Sequence, residues 1–243
     1  MFLTDLRDKL NAHPMPLTFI LERHKGILEG VQVVSPKAHH RYCWRHLYSN
    51  FKKHYKGQKL YASLWNATKC YKIKHFQKHM EEIRQENPLA VKYLEDAGVE
   101  SRSRTFFDDT SKCEHLNNNF SESFNSMEKN LRDKPICKLL DLYNQMVMGL
   151  FHKRTTESTT WNPKKLVPKA MKLIGKMLKL VGAFDVLPSV LGKLYEVTNV
   201  GSKAVFVVNL ETKQFNCLQW KMRGFVRQHA VCYLKSLRPD WTN

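Results

Sequence analysis

Cys43 and His46 stand in a Cys-x-x-His arrangement, a thiolate and an imidazole close enough in the chain to reach one Zn2+. A structural zinc wants four such ligands and this pair supplies two. Cys113 and His115 are the nearest candidates for the remainder, although no spacing rule joins the two pairs. His75 and His79 are one helical turn apart; with no acid or third ligand beside them they read as solvated histidines on a basic helix. Asn119 and Glu122 have the spacing of a capping box, which gives both a structural role at a helix start. Glu122 also lies off the stripe of Phe120, Phe124, Met127 and Leu131, as a carboxylate facing metal or solvent must.

Elements to hold these residues are legible in the apolar periodicity. The run Leu-Thr-Phe-Ile-Leu at 17–21 predicts a buried strand, and Ile27, Val31 and Val34 predict a helix that Pro36 ends. A second strand over 40–43 and an aromatic helix over 44–55 complete a strand, helix, strand, helix order, the mark of an α/β layer. From Gly57 to about Glu95 the pattern is helical almost without interruption. A polar loop over 98–118 precedes a helix from Phe120, and Pro135 can open a long helix at its first turn. Another helix is expected over 164–181. The period then changes to two over 195–217, predicting a three-stranded meander, and 225–237 reads as a closing helix.

The charge balance narrows the partner. Lys and Arg number 40 against 22 Asp and Glu in 243 residues, a net charge of +18, which favours a polyanion. From Arg23 to Lys78 there are 13 Lys or Arg and one acid, Glu29, interleaved with Tyr42, Trp44, Tyr48, Phe51, Tyr55, Tyr61 and Trp65. Cations there would contact phosphates, with Arg41, Arg45, Lys52, Lys53, Lys56 and Lys59 as candidates, and rings would either stack on bases or fill the core. The helix from Lys164 sets Leu166, Ala170, Leu173, Ile174, Met177, Leu178 and Val181 against five lysines (Lys165, Lys169, Lys172, Lys176, Lys179). Such a face suits DNA, a partner protein or a membrane surface, and equally an ordinary core-packed helix. There is no apolar run of transmembrane length and no signal-peptide core over 1–10, and six widely spaced cysteines suggest a reducing compartment.

Three ordered motifs carry a family resemblance. Leu-Thr-Phe-Ile-Leu-Glu-Arg-His-Lys-Gly (17–26), His-Arg-Tyr-Cys-Trp-Arg-His-Leu-Tyr-Ser-Asn-Phe-Lys-Lys (40–53) and Lys-Cys-Glu-His-Leu-Asn-Asn-Asn-Phe-Ser-Glu-Ser-Phe-Asn (112–125), the last followed by Arg-Asp-Lys-Pro (132–135), resemble blocks of plant Mutator-like transposases. The stretch 215–230 is similar to the SWIM zinc finger that ends those proteins. The resemblance spans about 17–230 and implies a partial ribonuclease H-like fold with a helical insertion over 1–160. A basic amphipathic connector over 161–190 and a small β-meander plus helix, SWIM-like, over 191–237 would follow. The fold class is thus α/β with large helical content.

The same resemblance implies where metals would sit. The family holds two divalent ions, Mg2+ in its catalytic site, with Asp, Asp and Glu; the strand of the first Asp would lie upstream of residue 17, and neither Asp5 nor Asp8 stands in a recognisable version of it. The second acid falls on Glu22, one methylene longer than Asp, and the third on Glu122. A metal-binding oxygen displaced by about 1 Å costs roughly two orders of magnitude in rate. In the finger the four Zn2+ ligands fall on Phe215, Cys217, Arg227 and His229, of which only Cys217 and His229 can coordinate. The expectation is a transposase-derived, nuclear, DNA-binding protein without catalysis and without bound metal. An active metal-dependent transposase or nuclease and a protein-interaction module are the alternatives.

Overall fold

The computed structural model describes residues 4, 7–21, 25–190, 193–209, 211–212, 214–215 and 218–237. It is mixed α/β and mostly helical, and it divides into two compact units, one of residues 1–118 with 217–225 and one of residues 119–216 with 226–243. No helix of the described residues is long and apolar enough to cross a membrane.

The first unit opens with helix α1 (Arg7–Asn11), then β1 (Thr18–Leu21), α2 (Lys25–Val34) and β2 (His39–Tyr42). β1 and β2 pair in parallel, Thr18 opposite His39 and Leu21 opposite Tyr42, with α2 as the connection that parallel strands require. α2 buries Val31 and Val34 and stops two residues before Pro36, whose ring disfavours a helical predecessor. Four helices follow: α3 (Trp44–His54), α4 (Gln58–Lys69), α5 (Ile73–Glu86) and α6 (Pro88–Asp96). The single helical stretch expected from Gly57 to Glu95 is therefore three helices. It breaks at extended residues Cys70 and Lys72 and again at Asn87, whose side chain accepts from the Leu89 and Ala90 amides ahead of a proline at the first helical position. Their apolar faces interlock: Trp44, Leu47 and Phe51 of α3 meet Leu60, Leu64 and Ala67 of α4, Phe76, Met80 and Ile83 of α5, and Leu94 of α6. Val99 and Leu116 pin the ends of the loop that follows to this core.

That loop contains two short 3-10 turns, Glu100–Arg102 and Arg104–Phe106. A short helix from the far end of the chain, α10 (Leu218–Arg223), also belongs to this unit. It closes at Gly224, which adopts φ +64° and donates its amide to the Trp220 carbonyl, the left-handed C-terminal cap that glycine takes without steric cost.

The second unit carries α7 (Asn119–Met127), α8 (Ile136–Thr159), α9 (Pro168–Leu178), the strands β3 (Phe184–Val190), β4 (Leu194–Asn199), β5 (Val205–Asn209) and β6 (Gln214–Phe215), and α11 (Gln228–Leu237). The strands form an antiparallel sheet in sequence order, so the expected meander has a fourth strand, β3, on its edge. Pro188 lies in β3 beside a register shift, at an edge where a missing amide breaks no ladder on the outer side. Tyr195 and Val197 of β4 and Val208 of β5 point to one face, where α11 lays Cys232 and Tyr233 over them. α9 packs on α11 through a face that buries Ile174 and Met177, while Lys169, Lys172, Lys176 and Lys179 remain exposed. Its apolar face is thus core, and the lysines are its solvated side.

Candidate nucleic-acid interface

α3 and α4 place the aromatic residues of the basic segment on adjoining helix turns. Trp44 and Tyr48, four apart on α3, stack with ring centroids 5.1 Å apart. Tyr61 and Trp65, four apart on α4, meet them: Trp65 lies 5.5 Å from Trp44, and Tyr61 stands edge-on to Tyr48 at 5.9 Å. With Ala62 these rings line a shallow groove of about 430 Å³. Trp44 and Phe51 are buried, as a core reading requires, but Trp65 is 39% exposed and Tyr48 and Tyr61 are half-buried.

Cations rim this groove. The Lys52 ammonium lies 5.3 Å from the Tyr48 centroid and 5.1 Å from that of Tyr61, and Lys69 sits 3.9 Å over Trp65. Lys53 reaches Asn50, and Lys56 caps the Lys52 carbonyl at 2.7 Å, a favourable site for a cation at a helix C-terminus. Arg45 and Lys59 are exposed as well. Among the described residues none of Lys52, Lys53, Lys56, Lys59 and Lys69 is paired with a carboxylate.

Arg41 departs from this group. It is 2% exposed, and its guanidinium donates to the Asp108 carboxylate at 2.7 Å, the Asp108 carbonyl at 2.8 Å, Ser111 and the Cys113 carbonyl, while lying 4.1 Å over the Phe107 ring. A side chain held this way does not reach a phosphate backbone; it fastens the 108–113 loop to β2. Burial alone would raise the Asp108 pKa, but hydrogen bonds from Thr110 and Arg41, with the Arg41 charge, overcome it and hold the carboxyl down at about 2.

The rest of the loop is acidic and equally committed. Asp109 pairs with Lys221 at 3.1 Å, and Glu114 takes the Tyr71 hydroxyl, Arg223 at 3.4 Å and Arg104 at 4.0 Å. The loop is thus a strap between β2 on one side and α10 on the other. Sequence reasoning saw a polar loop here. Three acids within seven residues of a strongly basic chain were the available signal.

The metal candidates are each placed by the fold or lie outside the described residues. Cys43 is buried, its amide bonded to the Leu21 carbonyl, and His46 is half-buried beside it in sequence. Cys113 meets Arg41 through its carbonyl, and His115 is exposed. Among the described residues no three His, Cys, Asp or Glu side chains gather as a metal set. Glu22 and Cys217 lie outside the described residues. Glu122 is half-buried in the first turn of α7, the helix whose first residue is Asn119. His229 is 4% exposed, its ring flat on Phe206 at 4.6 Å and 5°; burial, assisted by the Arg227 charge, pushes its pKa down to about 4. His79, expected to lack an acid, has one: Glu82, three residues along α5, lies 2.8 Å from its Nδ1 and also accepts from Ser63. Those contacts draw the Glu82 pKa down, His79 first.

The fold and this face together define a basic α/β protein with an aromatic groove on two helices. No protein-family profile, curated protein or solved structure matches the chain.

Proposed function

We propose that the chain is a nucleic-acid-binding protein derived from a Mutator-like transposase, working by binding and not by DNA cleavage. The observation that carries the binding reading is the distribution of charge: the strap acids Asp108, Asp109 and Glu114 are each tied to an arginine or lysine of β2 or α10, whereas the lysines of α3 and α4 face solvent with no carboxylate partner among the described residues. A cationic face left unneutralised by its own protein attracts a polyanion by counterion release. Descent from the transposases rests on the three sequence blocks; a parallel strand pair joined by a helix and followed by helices agrees with part of a ribonuclease H-like fold, and the sheet with α11 and buried His229 agrees with a SWIM-like module that has lost ligands. Loss of cleavage rests on Glu22 in place of Asp. DNA in the nucleus is the partner this reading names.

Retention of the full chain on a DNA duplex tests it. Binding is expected at about 50 mM salt and should fall about a thousandfold by about 200 mM, the response of six or so phosphate contacts. Absence of retention at the lower salt on both the duplex and a single strand would remove the nucleic-acid role. Strand nicking in Mg2+ or Mn2+ that disappears in Glu122→Gln would restore the nuclease alternative.

A further inference from the structure

Resting on the nucleic-acid reading, we propose that the groove of Trp44, Tyr48, Tyr61 and Trp65 seats an unpaired base, so that the preferred ligand is single-stranded DNA. The walls are π-faces and ring edges from two helices whose buried sides are fixed by Leu47, Phe51, Leu60 and Leu64, so the groove is preformed. Its volume of about 430 Å³ lies at the small end of the range for ligand pockets, about 300–1,000 Å³. Trp65 presents 39% of its surface at the mouth, whereas the rings beneath serve the core.

The rim selects what enters. Ammonium groups of Lys52 and Lys69 already lie over the Tyr48, Tyr61 and Trp65 rings, so a cationic ligand of the kind that aromatic cages bind would meet like charge. A nucleotide matches both halves: a neutral flat ring for the groove and a phosphate for the ammonium groups. In a duplex each base is stacked and paired and offers no free face. The groove therefore distinguishes single strands, while the lysines outside it serve either form.

Fluorescence anisotropy of the full chain with oligothymidine of about 20 nucleotides, longer than a typical single-strand site, and with a duplex of equal length tests this at about 50 mM salt. Trp65→Ala should weaken oligothymidine binding about fivefold or more and leave duplex binding within about twofold, and Trp65→Phe should retain most of the affinity. Ala62→Glu, which puts a carboxylate on an exposed groove position without disturbing the core, should likewise harm the single strand more than the duplex. Equal oligothymidine affinity for wild type and Trp65→Ala, or equal losses on both DNAs, overturns the groove assignment while leaving a DNA-binding face. Failure of the wild type to bind either DNA overturns both readings.

Discussion

The two units hold titratable groups in their interiors in opposite ways. The first buries a charged pair, Arg41 with Asp108, and fastens a loop by it; the second buries His229, Cys232 and Tyr233 as neutral groups among strands and a helix. In the first, hydrogen bonds from Thr110 and Arg41, with the Arg41 charge, keep a carboxyl ionised down to about pH 2. In the second, burial holds the Cys232 thiol up at about 11 and the His229 imidazole down at about 4, so each stays uncharged near neutrality. The lesson concerns cations in a basic segment. Arg41, which finds a distant acid, becomes a fastening, while Lys52, Lys53 and Lys59, which meet no carboxylate among the described residues, become a surface.

Breaking the charged interior should have the largest effect. Asp108→Ala leaves the Arg41 guanidinium buried without its carboxylate and should destabilise the first unit by about 3–5 kcal/mol, whereas Arg41→Leu with Asp108→Leu should cost distinctly less. Urea unfolding, with hydrogen exchange to assign the loss to α3 and α4, measures both. A single-variant loss under about 1 kcal/mol would show that the pair is not what holds the strap.

The neutral interior predicts a separate acid response. His229 stays neutral in the folded protein down to about pH 4 but protonates near 6.5 when unfolded, so its contribution is complete above pH 6.5 and declines as pH falls toward 4. The decline amounts to about 3 kcal/mol for a group this buried. Asp108 behaves differently: its contribution persists above about pH 4 and is lost as pH falls through 2. Amides of Leu194–Asn199 should therefore lose exchange protection between pH 6.5 and 4 while those of Trp44–His54 keep theirs. His229→Leu should flatten that window; an unchanged pH profile would remove His229 as its cause.

A smaller effect belongs to the strap's other end. Alanine at Gly224 would face a left-handed backbone and place its Cβ 3.0 Å from that of Lys112, so Gly224→Ala should cost about 1–2 kcal/mol in thermal unfolding. A neutral substitution would mean that α10 is not held by the 108–114 loop.

The sequence made α2 and α3 legible because their apolar residues recur at helical spacing and Pro36 marks a stop, and β1 legible as a short apolar run, whereas β2, His-His-Arg-Tyr, carries no alternation of its own. β3 was missed since Pro188 argues against a strand unless its edge position is known, and of the last expected strand Gln214–Phe215 is a strand while 216–217 lie outside the described residues; the short helix from Leu218 was not anticipated. Within the candidate interface, the lysines and rings were visible as composition. Their division into buried Trp44 and exposed Trp65 was not, because it depends on how α4 crosses α3. Arg41 is the sharpest case: its partner is 67 residues away, and no local pattern announces it.

The division between fastening and surface is most directly tested by reversing the surface charges alone. In Lys52→Glu, Lys56→Glu and Lys59→Glu combined, urea stability should stay within about 1 kcal/mol of wild type, as for exposed positions, while DNA affinity at about 50 mM salt drops at least about a hundredfold. Undiminished DNA binding by that variant would contradict the account.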